Sequence, residues 1–318
     1  MRIASDGSMS VGDVAMPQVK AGTVRIRVAA AAVNPTDLAM RSMGRLMTGV
    51  EGPWVPGMDA AGVVDAVAAG SRYDVGQRVM AITVPYGTRT GAQAEYVTVP
   101  EASIAPIDDS LAFAEAATIP MNALTAHQAL AEMNLAAGET VAVTGGAGHL
   151  ASYFTAFAVQ RGMRVIADAA PAERDAVRSS GAAEVVDRGP GVAERIRQLH
   201  PDGVGAVLDT ALLGAEIVPA VRDGGMVVAV RPGEISRERE IEIRPILVST
   251  YARNDAAVAE VAHSVREGVI SGRVAGVYPV EQAESAYRRM AEGGVRGRLV
   301  IDFGPVQGLG TARESDPQ

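Results

Sequence analysis

The sequence predicts an α/β protein with two parts, and three observations support this fold class. The first third contains short apolar runs between turn residues, which are typical of strands: TVRIRV at 23–28, AGVVDAV at 61–67 and AEYVTV at 94–99. From about Thr118, strands and helices alternate, which predicts a parallel sheet covered by helices on both faces. The third observation is a glycine-rich loop between the first strand of this alternation and the helix that follows it.

The alternating region contains six strand cores: Val141–Val143, Val165–Ala167, Glu184–Val186, Ala206–Leu208, Val227–Val230 and Ile246–Ser249. After Thr250, a helical stretch is followed by two short strands at 273–280 and 298–303, which are too few for a third domain. We therefore expect the C-terminal segment to return to the first domain.

These patterns predict three parts of the chain. Residues 1–117 and 262–304 are expected to form one domain, and residues 118–261 the dinucleotide-binding domain. Residues 305–318 are polar and contain Gly and Pro, so they are expected to be a mobile tail.

Composition excludes several classes of protein. The 318 residues include 29 basic and 37 acidic ones, a net charge of −8 with no polybasic run, which argues against a nucleic-acid partner. The absence of cysteine excludes a disulfide, a thiolate nucleophile and a Cys-ligated zinc. The uncharged stretch 140–160 contains three glycines and several hydroxyls, so we expect no membrane span there. The N-terminus lacks the apolar core of a signal peptide, and a cytoplasmic protein is expected.

The glycine-rich loop is the sharpest local signal. Gly145 follows the strand, and Gly146, Gly148 and Ala151 form the pattern G-x-G-x-x-A at the start of a helix whose apolar positions begin at Leu150. This arrangement lets the backbone approach a pyrophosphate and directs the helix N-terminus at it. The alternative is a glycine turn that serves packing only.

Asp168 lies near the end of the second strand, 20 positions after Gly148. An acidic residue there can accept hydrogen bonds from the adenosine ribose hydroxyls. The alternative is a solvated carboxylate at the start of a turn before Pro171.

Besides the glycine loop, five motifs occur in one order between roughly Thr23 and Gly304: AVNPTD at 32–37, PGMDAAGVV at 56–64, GQRV at 76–79, AEYV at 94–97 and IPMNALTA at 119–126. With these motifs the chain resembles the zinc-free branch of the medium-chain dehydrogenase/reductase superfamily, the quinone oxidoreductase-like and enoyl reductase-like proteins.

The resemblance implies a GroES-like, partly barrel-shaped β domain plus a Rossmann domain with a doubly wound parallel six-stranded sheet, with a cleft between the two domains. It also implies hydride transfer from NADH or NADPH, and a homodimer formed by edge pairing of the sixth strand, Ile246–Ser249. Zinc is not expected, because the chain has no Cys and only four His residues for a ligand set.

The resemblance also implies site residues. Asn34 and Thr125 match positions that line the nicotinamide and substrate cleft; alternatively, Asn34 makes a turn before Pro35 and Thr125 caps a helix. Tyr86, in a Pro-Tyr-Gly loop, is a candidate wall of the pocket; alternatively, it is an ordinary surface aromatic. It is also a candidate proton donor, with water as the alternative donor.

Three positions depart from the pattern of the family. His149 and Arg231 stand where a glycine is frequent, and Ala39 stands where a tyrosine is frequent. His149 either adds a hydrogen-bond donor for the pyrophosphate or blocks the loop, and Arg231 places a cation near the nicotinamide end. Ala39 enlarges the expected pocket.

The resulting hypothesis is a reductase that delivers hydride to a polarised C=C bond or a quinone, with an electrophilic alkene or quinone as its small-molecule partner. The alternative is a dinucleotide-binding protein recruited to a non-redox step or lacking catalysis. Alcohol–aldehyde interconversion is disfavoured because the sequence offers no metal site.

The choice of cofactor stays open. A carboxylate at Asp168 repels the 2′-phosphate of NADPH, which slightly favours NADH. Arg161, Arg164 and Arg174 are near Asp168 in the sequence and could bind that phosphate.

Overall fold

The computed structural model describes residues 1–231 and 239–306. The strands are β1 Arg2–Ile3, β2 Met9–Ser10, β3 Thr23–Val33, β4 Asp59–Val67, β5 Arg78–Ile82, β6 Tyr96–Pro100, β7 Ile104–Pro106, β8 Thr140–Thr144, β9 Arg164–Ala169, β10 Glu184–Asp187, β11 Val204–Asp209, β12 Val221–Ala229, β13 Glu242–Pro245, β14 Val274–Pro279 and β15 Arg298–Asp302. The helices are α1 Pro35–Met43, α2 Arg45–Thr48, α3 Phe113–Ala116, α4 Pro120–Met133, α5 His149–Gln160, α6 Arg174–Ser179, α7 Val192–Leu199, α8 Val248–Tyr251, α9 Asp255–Arg266 and α10 Ala283–Ala291.

The chain divides into two compact units. Unit 1 comprises Met1–Met121, Ala252–Ala262 and the chain from Ser271 on, and unit 2 comprises Asn122–Tyr251 and His263–Ile270. The boundaries expected from the sequence, near 117 and 262, stay predictions. The part of the expected tail from 307 on lies outside the described residues.

Unit 1 is built on a mixed sheet of seven strands within the described part of the chain. Its longest strand, β3, pairs antiparallel with β4 along one side, and with β6 and β15 along the other. The C-terminal strands thus belong to the same sheet as β3, with β14 parallel to β15 at the edge. The core consists largely of β-branched side chains from alternating positions of these strands, such as Val24, Ile26 and Val64.

Unit 2 contains a six-stranded sheet within residues 122–231 and 239–251, in the order β10-β9-β8-β11-β12-β13, with all neighbours parallel. The chain winds outward from β8 to β10, returns, and winds outward from β11 to β13. This doubly wound order confirms the predicted fold class, and its switch point lies between β8 and β11. Apolar side chains of α7 and the strands, including Ile196, Val207 and Val227, form the core of one face.

The predicted position of the sixth strand is wrong. The strand is Glu242–Pro245, while the apolar segment predicted as a strand, Ile246–Ser249, leads into α8. The sheet edge takes the charged segment because one side of an edge strand faces solvent, where charges are tolerated. Pro245, which lacks an N–H, ends the strand. In the described ranges, no helix is long and apolar enough to cross a membrane.

Candidate functional site

The glycine loop lies at the carboxyl end of β8 and leads directly into α5. Gly145 has φ +67°, and a Cβ at Gly146 would lie 2.6 Å from the carbonyl oxygen of Asp168. Gly148 precedes α5, and no side chain caps the helix there. Since a helix leaves the N–H groups of its first turn unbonded within the helix, this end of α5 is suited to a phosphate.

His149 and Leu150 form the first turn of α5. The His149 side chain is 3% exposed, and its ring centroid lies 4.5 Å from that of Tyr153, one helical turn further on. Leu150 is half-buried. The imidazole is therefore packed along the helix.

Asp168 lies beside the loop, near the end of β9. Its Oδ1 accepts a hydrogen bond from the Gly146 N–H at 3.1 Å, and the side chain is buried. Burial raises the pKa of Asp168, while the N–H groups of Gly145 and Gly146 and the guanidinium of Arg188 oppose the rise.

A second cluster fixes the switch point between β8 and β11. Thr144 donates its hydroxyl hydrogen bond to Asp209 at 2.7 Å, and Asp209 also accepts from the N–H groups of Leu213 and Gly214. The Thr210 hydroxyl donates a hydrogen bond to the Thr144 carbonyl oxygen at 2.6 Å. The carboxyl ends of the two strands are therefore locked together where a Rossmann fold places its ligand.

Other polar residues of unit 2 lie at the same end of the sheet or on α4. Arg231 is exposed and follows β12 by two residues. Thr125 is buried on α4, and His127 of the same helix lies with its Nδ1 3.0 Å from the Tyr251 hydroxyl.

In unit 1, Asn34 is the centre of a buried polar network. Its side-chain Nδ2 donates to Asp59 and its Oδ1 accepts from the Arg298 Nε, both at 2.8 Å. Its backbone N–H donates to Asp37 at 2.7 Å, which fixes the start of α1. The amide group of Asn34 is thus engaged on both sides, and the residue has no exposed surface.

The two carboxyl groups of this network, Asp37 and Asp59, are also fully buried. Asp37 accepts a second hydrogen bond from the Gly57 N–H, and Asp59 accepts one from the Met121 N–H. Burial raises the pKa of each to about 7, against the effect of these hydrogen bonds and of Arg298. The network therefore joins the end of β3, the start of β4 and the C-terminal β15.

Tyr86 lies in the loop after β5 and is half-buried. Burial raises the pKa of its hydroxyl, and the nearby charge of Asp37 adds to the rise. Within the described part of the chain, this hydroxyl makes no hydrogen bond.

The structure brings together one group of the predicted residues: Gly145, Gly146, Gly148, His149, Leu150 and Asp168. Asn34 and Tyr86 belong to unit 1, whereas Thr125 and Arg231 belong to unit 2.

Sequence reasoning gave no role to Asp37, Asp59, Arg298 or Asp209. The spacing of Asn34 and Asp37, typical of a helix start, was the available signal for one of these contacts. The described ranges contain no cluster of three or more His, Asp and Glu side chains that could hold a metal ion.

These features define a two-unit protein whose second unit has the glycine loop, acidic strand end and sheet order of dinucleotide-binding proteins. Residues 20–109 match the family of alcohol dehydrogenase GroES-like domains, and residues 180–301 match a family described as zinc-binding dehydrogenase. The chain belongs to the medium-chain dehydrogenase/reductase superfamily, in its quinone oxidoreductase-like branch, which confirms the predicted resemblance.

Individual relatives agree with this assignment. The chain is similar to a trans-enoyl reductase from Aspergillus japonicus, with 33% identity over 71% of each chain. It is also similar to a chloroplastic quinone-oxidoreductase homolog from Spinacia oleracea, with 26% identity over 91% of this chain and 92% of the relative. A mycobacterial protein solved in complex with NADPH has a TM-score of 0.80 and 26% identity, over 94% and 97% of the two chains. The chain spans 46% to 57% of the length of several other curated relatives.

Proposed function

We propose that the protein is an NAD(P)H-dependent reductase that delivers hydride to a polarised C=C bond or to a quinone without a metal ion. The observation that carries this proposal is the glycine loop at Gly146, which leaves no room for a Cβ and lies directly beside Asp168. The relatives support the acceptor class, since they include a trans-enoyl reductase and a quinone-oxidoreductase homolog.

Each part of the loop has a role in this proposal. Gly145, Gly146 and Gly148 keep the backbone open to the pyrophosphate, and the N–H groups at the start of α5 donate to it. The Asp168 carboxylate, held by Gly146, accepts a hydrogen bond from the adenosine ribose. His149 packs against Tyr153, so the wild-type loop is expected to bind the pyrophosphate.

The nicotinamide end is assigned to the other half of the sheet, because the adenosine ribose lies at the end of β9. Thr125 and Arg231 are the candidates in unit 2 for contacts with the nicotinamide or the bound acceptor. When bound, the reduced nicotinamide supplies the hydride, and the protein supplies position and charge.

Tyr86 is proposed as the proton donor. Reduction of a polarised C=C bond adds a hydride to the electrophilic carbon and a proton to its neighbour, so an acid is needed. The Tyr86 hydroxyl is protonated at neutral pH and makes no hydrogen bond within the described part of the chain, so its proton is available to a bound acceptor. The raised pKa makes it a weaker acid than a solvent-exposed tyrosine. Asn34 is proposed to act from the interior of unit 1 as a positioning residue, since its amide is bonded to Asp59 and Arg298.

The chemistry is proposed to be independent of zinc, because the chain has no cysteine and few histidines to provide ligands. A homodimer is proposed as well, with pairing at the edge of the Rossmann sheet. The correction of the sixth strand moves that edge to β13, Glu242–Pro245.

The test is a panel of enones, quinones and enoyl thioesters, assayed for oxidation of NADH and NADPH with and without a chelator. We expect oxidation that depends on the acceptor, persists in the chelator and falls at least about tenfold in Tyr86→Phe. Dinucleotide binding with no turnover of any acceptor supports the non-redox alternative. Activity lost in the chelator contradicts the metal-free mechanism.

A further inference from the structure

A cavity on the surface of unit 1 lies away from the glycine loop and its sheet. Its walls are segment 11–17, which follows β2, the start of β6, and the residues that follow β14 and β15. All of these residues belong to unit 1. The cavity has a volume of about 400 Å³, which is within the range of sites that hold small molecules.

Segment 11–17 forms one wall of the cavity and is held near its two ends. Gly12 packs on the guanidinium of Arg2, which occupies the place that a Cβ at Gly12 would take. The carbonyl oxygen of Pro17 accepts a hydrogen bond from the Arg25 Nη1 at 3.3 Å. Within the described ranges, the backbone of 13–16 makes no hydrogen bond. The middle of the segment is therefore able to adjust to a ligand while its ends stay in place.

The same segment gives the cavity an apolar surface. Val11, Val14 and Met16 line it, and each of these side chains is between 46% and 52% exposed. Single exposed apolar side chains are common on proteins, but three within six residues beside a cavity form a patch that a ligand can cover. The cavity is therefore suited to a molecule with an apolar body.

Two aromatic rings also line the cavity. The chain has one Trp, seven Tyr and four Phe residues, and Tyr96 and Phe303 both lie here. The Arg25 guanidinium is 5.8 Å from the centroid of the Tyr96 ring, so this ring already has a cation over it. Aromatic faces attract ammonium and guanidinium groups, which makes an organic cation a suitable ligand.

The charged groups of the cavity favour the same ligand. Asp13, Glu95 and Glu281 line it, and all three side chains are exposed. Among residues 1–231 and 239–306, none of the three carboxylates has a hydrogen bond or an ion pair. Carboxylates around an apolar cavity attract a cation and repel an anion.

The cations nearest to these carboxylates do not neutralise all of them. The Arg2 guanidinium packs against Gly12, and the Met1 amino group donates to the Gln93 carbonyl oxygen at 2.9 Å. Arg25 is paired with Asp65 at 2.5 Å and leaves the balance unchanged. Three carboxylates and two cations leave one negative charge for a ligand to compensate.

We propose that this cavity is a binding site for an organic monocation, an ammonium group attached to an apolar body. The ammonium group lies among the three carboxylates and the ring faces of Tyr96 and Phe303, and the apolar body covers Val14 and Met16. A neutral molecule of the same shape would gain the apolar contacts only. None of these residues has a role in the proposed hydride transfer, so the site is separate from it.

The test is calorimetric titration of three probes of similar shape into the full chain at neutral pH and low ionic strength: phenethylamine, phenethyl alcohol and hydrocinnamate. They carry a positive charge, no charge and a negative charge. The variants are Glu95→Gln, the triple variant Asp13→Asn/Glu95→Gln/Glu281→Gln, and Tyr96→Leu. Glu216→Gln is the matched control, because Glu216 is an exposed carboxylate of unit 2 without an ion pair in the described ranges. Thermal unfolding shows whether each variant is folded.

Phenethylamine is expected to bind at least about tenfold more tightly than phenethyl alcohol, and hydrocinnamate more weakly than both. Glu95→Gln should weaken phenethylamine binding by about two- to fivefold, the range for one exposed ion pair, and the triple variant by at least about tenfold. Tyr96→Leu should weaken it by about two- to fivefold through loss of the ring. Added salt should lower the affinity for the amine, and Glu216→Gln should behave as the wild type.

Three results overturn the inference: equal affinity for phenethylamine and phenethyl alcohol, unchanged affinity for the amine in the folded triple variant, or no binding of the amine at millimolar concentration. A loss in Glu216→Gln as large as that in the triple variant also overturns it, because the effect would then come from net charge alone. Each of these results leaves the proposed reductase intact.

Discussion

The absence of a side chain at Gly146 decides whether the glycine loop can pack against β9. A methyl group there would meet the Asp168 carbonyl oxygen at 2.6 Å and the Ala167 Cβ at 2.9 Å, and neither can move without displacing β9. The contact that excludes a side chain also brings the loop to β9, the strand proposed to hold the ribose. Packing therefore requires the glycine, and the proposed function requires it for cofactor binding as well.

Gly146→Ala should consequently lower dinucleotide affinity by at least about tenfold and the free energy of unfolding by about 1 to 3 kcal/mol through overpacking. Titration and denaturant unfolding measure the two effects. Gly205→Ala, in β11 of the same sheet, is the control, because its Cβ would meet the end of the Leu135 side chain at 3.2 Å, which can shift, and the Thr140 carbonyl oxygen at an ordinary contact distance of 3.5 Å. Equal binding by both variants would contradict the role given to Gly146.

The buried carboxyl groups of unit 1 give a second prediction at this scale. Asp59 titrates near pH 7 when folded and near 3.8 when unfolded, so folding takes up protons between these values and stability falls as pH rises through the window. The slope is up to about 1.4 kcal/mol per pH unit for such a group.

Asp59→Asn removes the dependence of stability on pH that comes from this carboxyl. Its side-chain NH₂ group replaces one oxygen that accepts a hydrogen bond, so it faces another donor, either the Asn34 amide or the Met121 N–H. The variant should therefore be less stable than the wild type at pH 5, by about 1 to 3 kcal/mol, and the difference should narrow towards pH 8. Denaturant unfolding at the two pH values measures this. Asp109→Asn, at a fully exposed side chain, should show no such trend. A difference in stability between the wild type and Asp59→Asn that widens as pH rises contradicts the raised pKa assigned to Asp59.

At the scale of elements, the sequence predicted those strands and helices whose positions depend on neighbouring residues. The strand–loop–helix of β8 and α5, and the end of α5 before Gly162, follow from apolar spacing and glycine positions. Strand β13 does not, because a four-residue segment with two charges has no apolar pattern, and its place is decided by pairing with β12. A one-sided edge strand is thus harder to recognise than the buried strands beside it.

Within residues 1–231 and 239–306, β13 is the outermost strand at one side of its sheet, and the prediction about assembly concerns this edge. If two copies pair there, light scattering at micromolar concentration should give twice the chain mass of 32.8 kDa. Backbone amides of 242–244 should then exchange with solvent more slowly than in a diluted, dissociated sample. A monomer mass, or a dimer without added protection in β13, contradicts this pairing.

At the scale of the whole molecule, contacts between residues far apart in the sequence could not be predicted from the sequence. The Asn34–Arg298 hydrogen bond joins residues separated by 264 positions, and nothing in either local sequence indicates the other. The motif containing Asn34 pointed to a site residue, but its burial and engaged amide emerge only from the fold. The hydrogen bonds from Arg195, on α7, to the carbonyl oxygens of Asp187 and Gly189 in the turn after β10 likewise depend on a backbone path that the residue types leave open.

Isotope transfer tests most directly whether the protein delivers hydride to a polarised C=C bond, as proposed. An enone is incubated with the protein and NADPH carrying deuterium at both C4 positions of the nicotinamide, and the product is analysed by mass spectrometry and NMR. We predict one deuterium, bonded to the carbon β to the carbonyl, with the hydrogen on the α carbon derived from solvent. A product without deuterium, deuterium on the carbonyl carbon, or no product while NADPH binds would contradict the account.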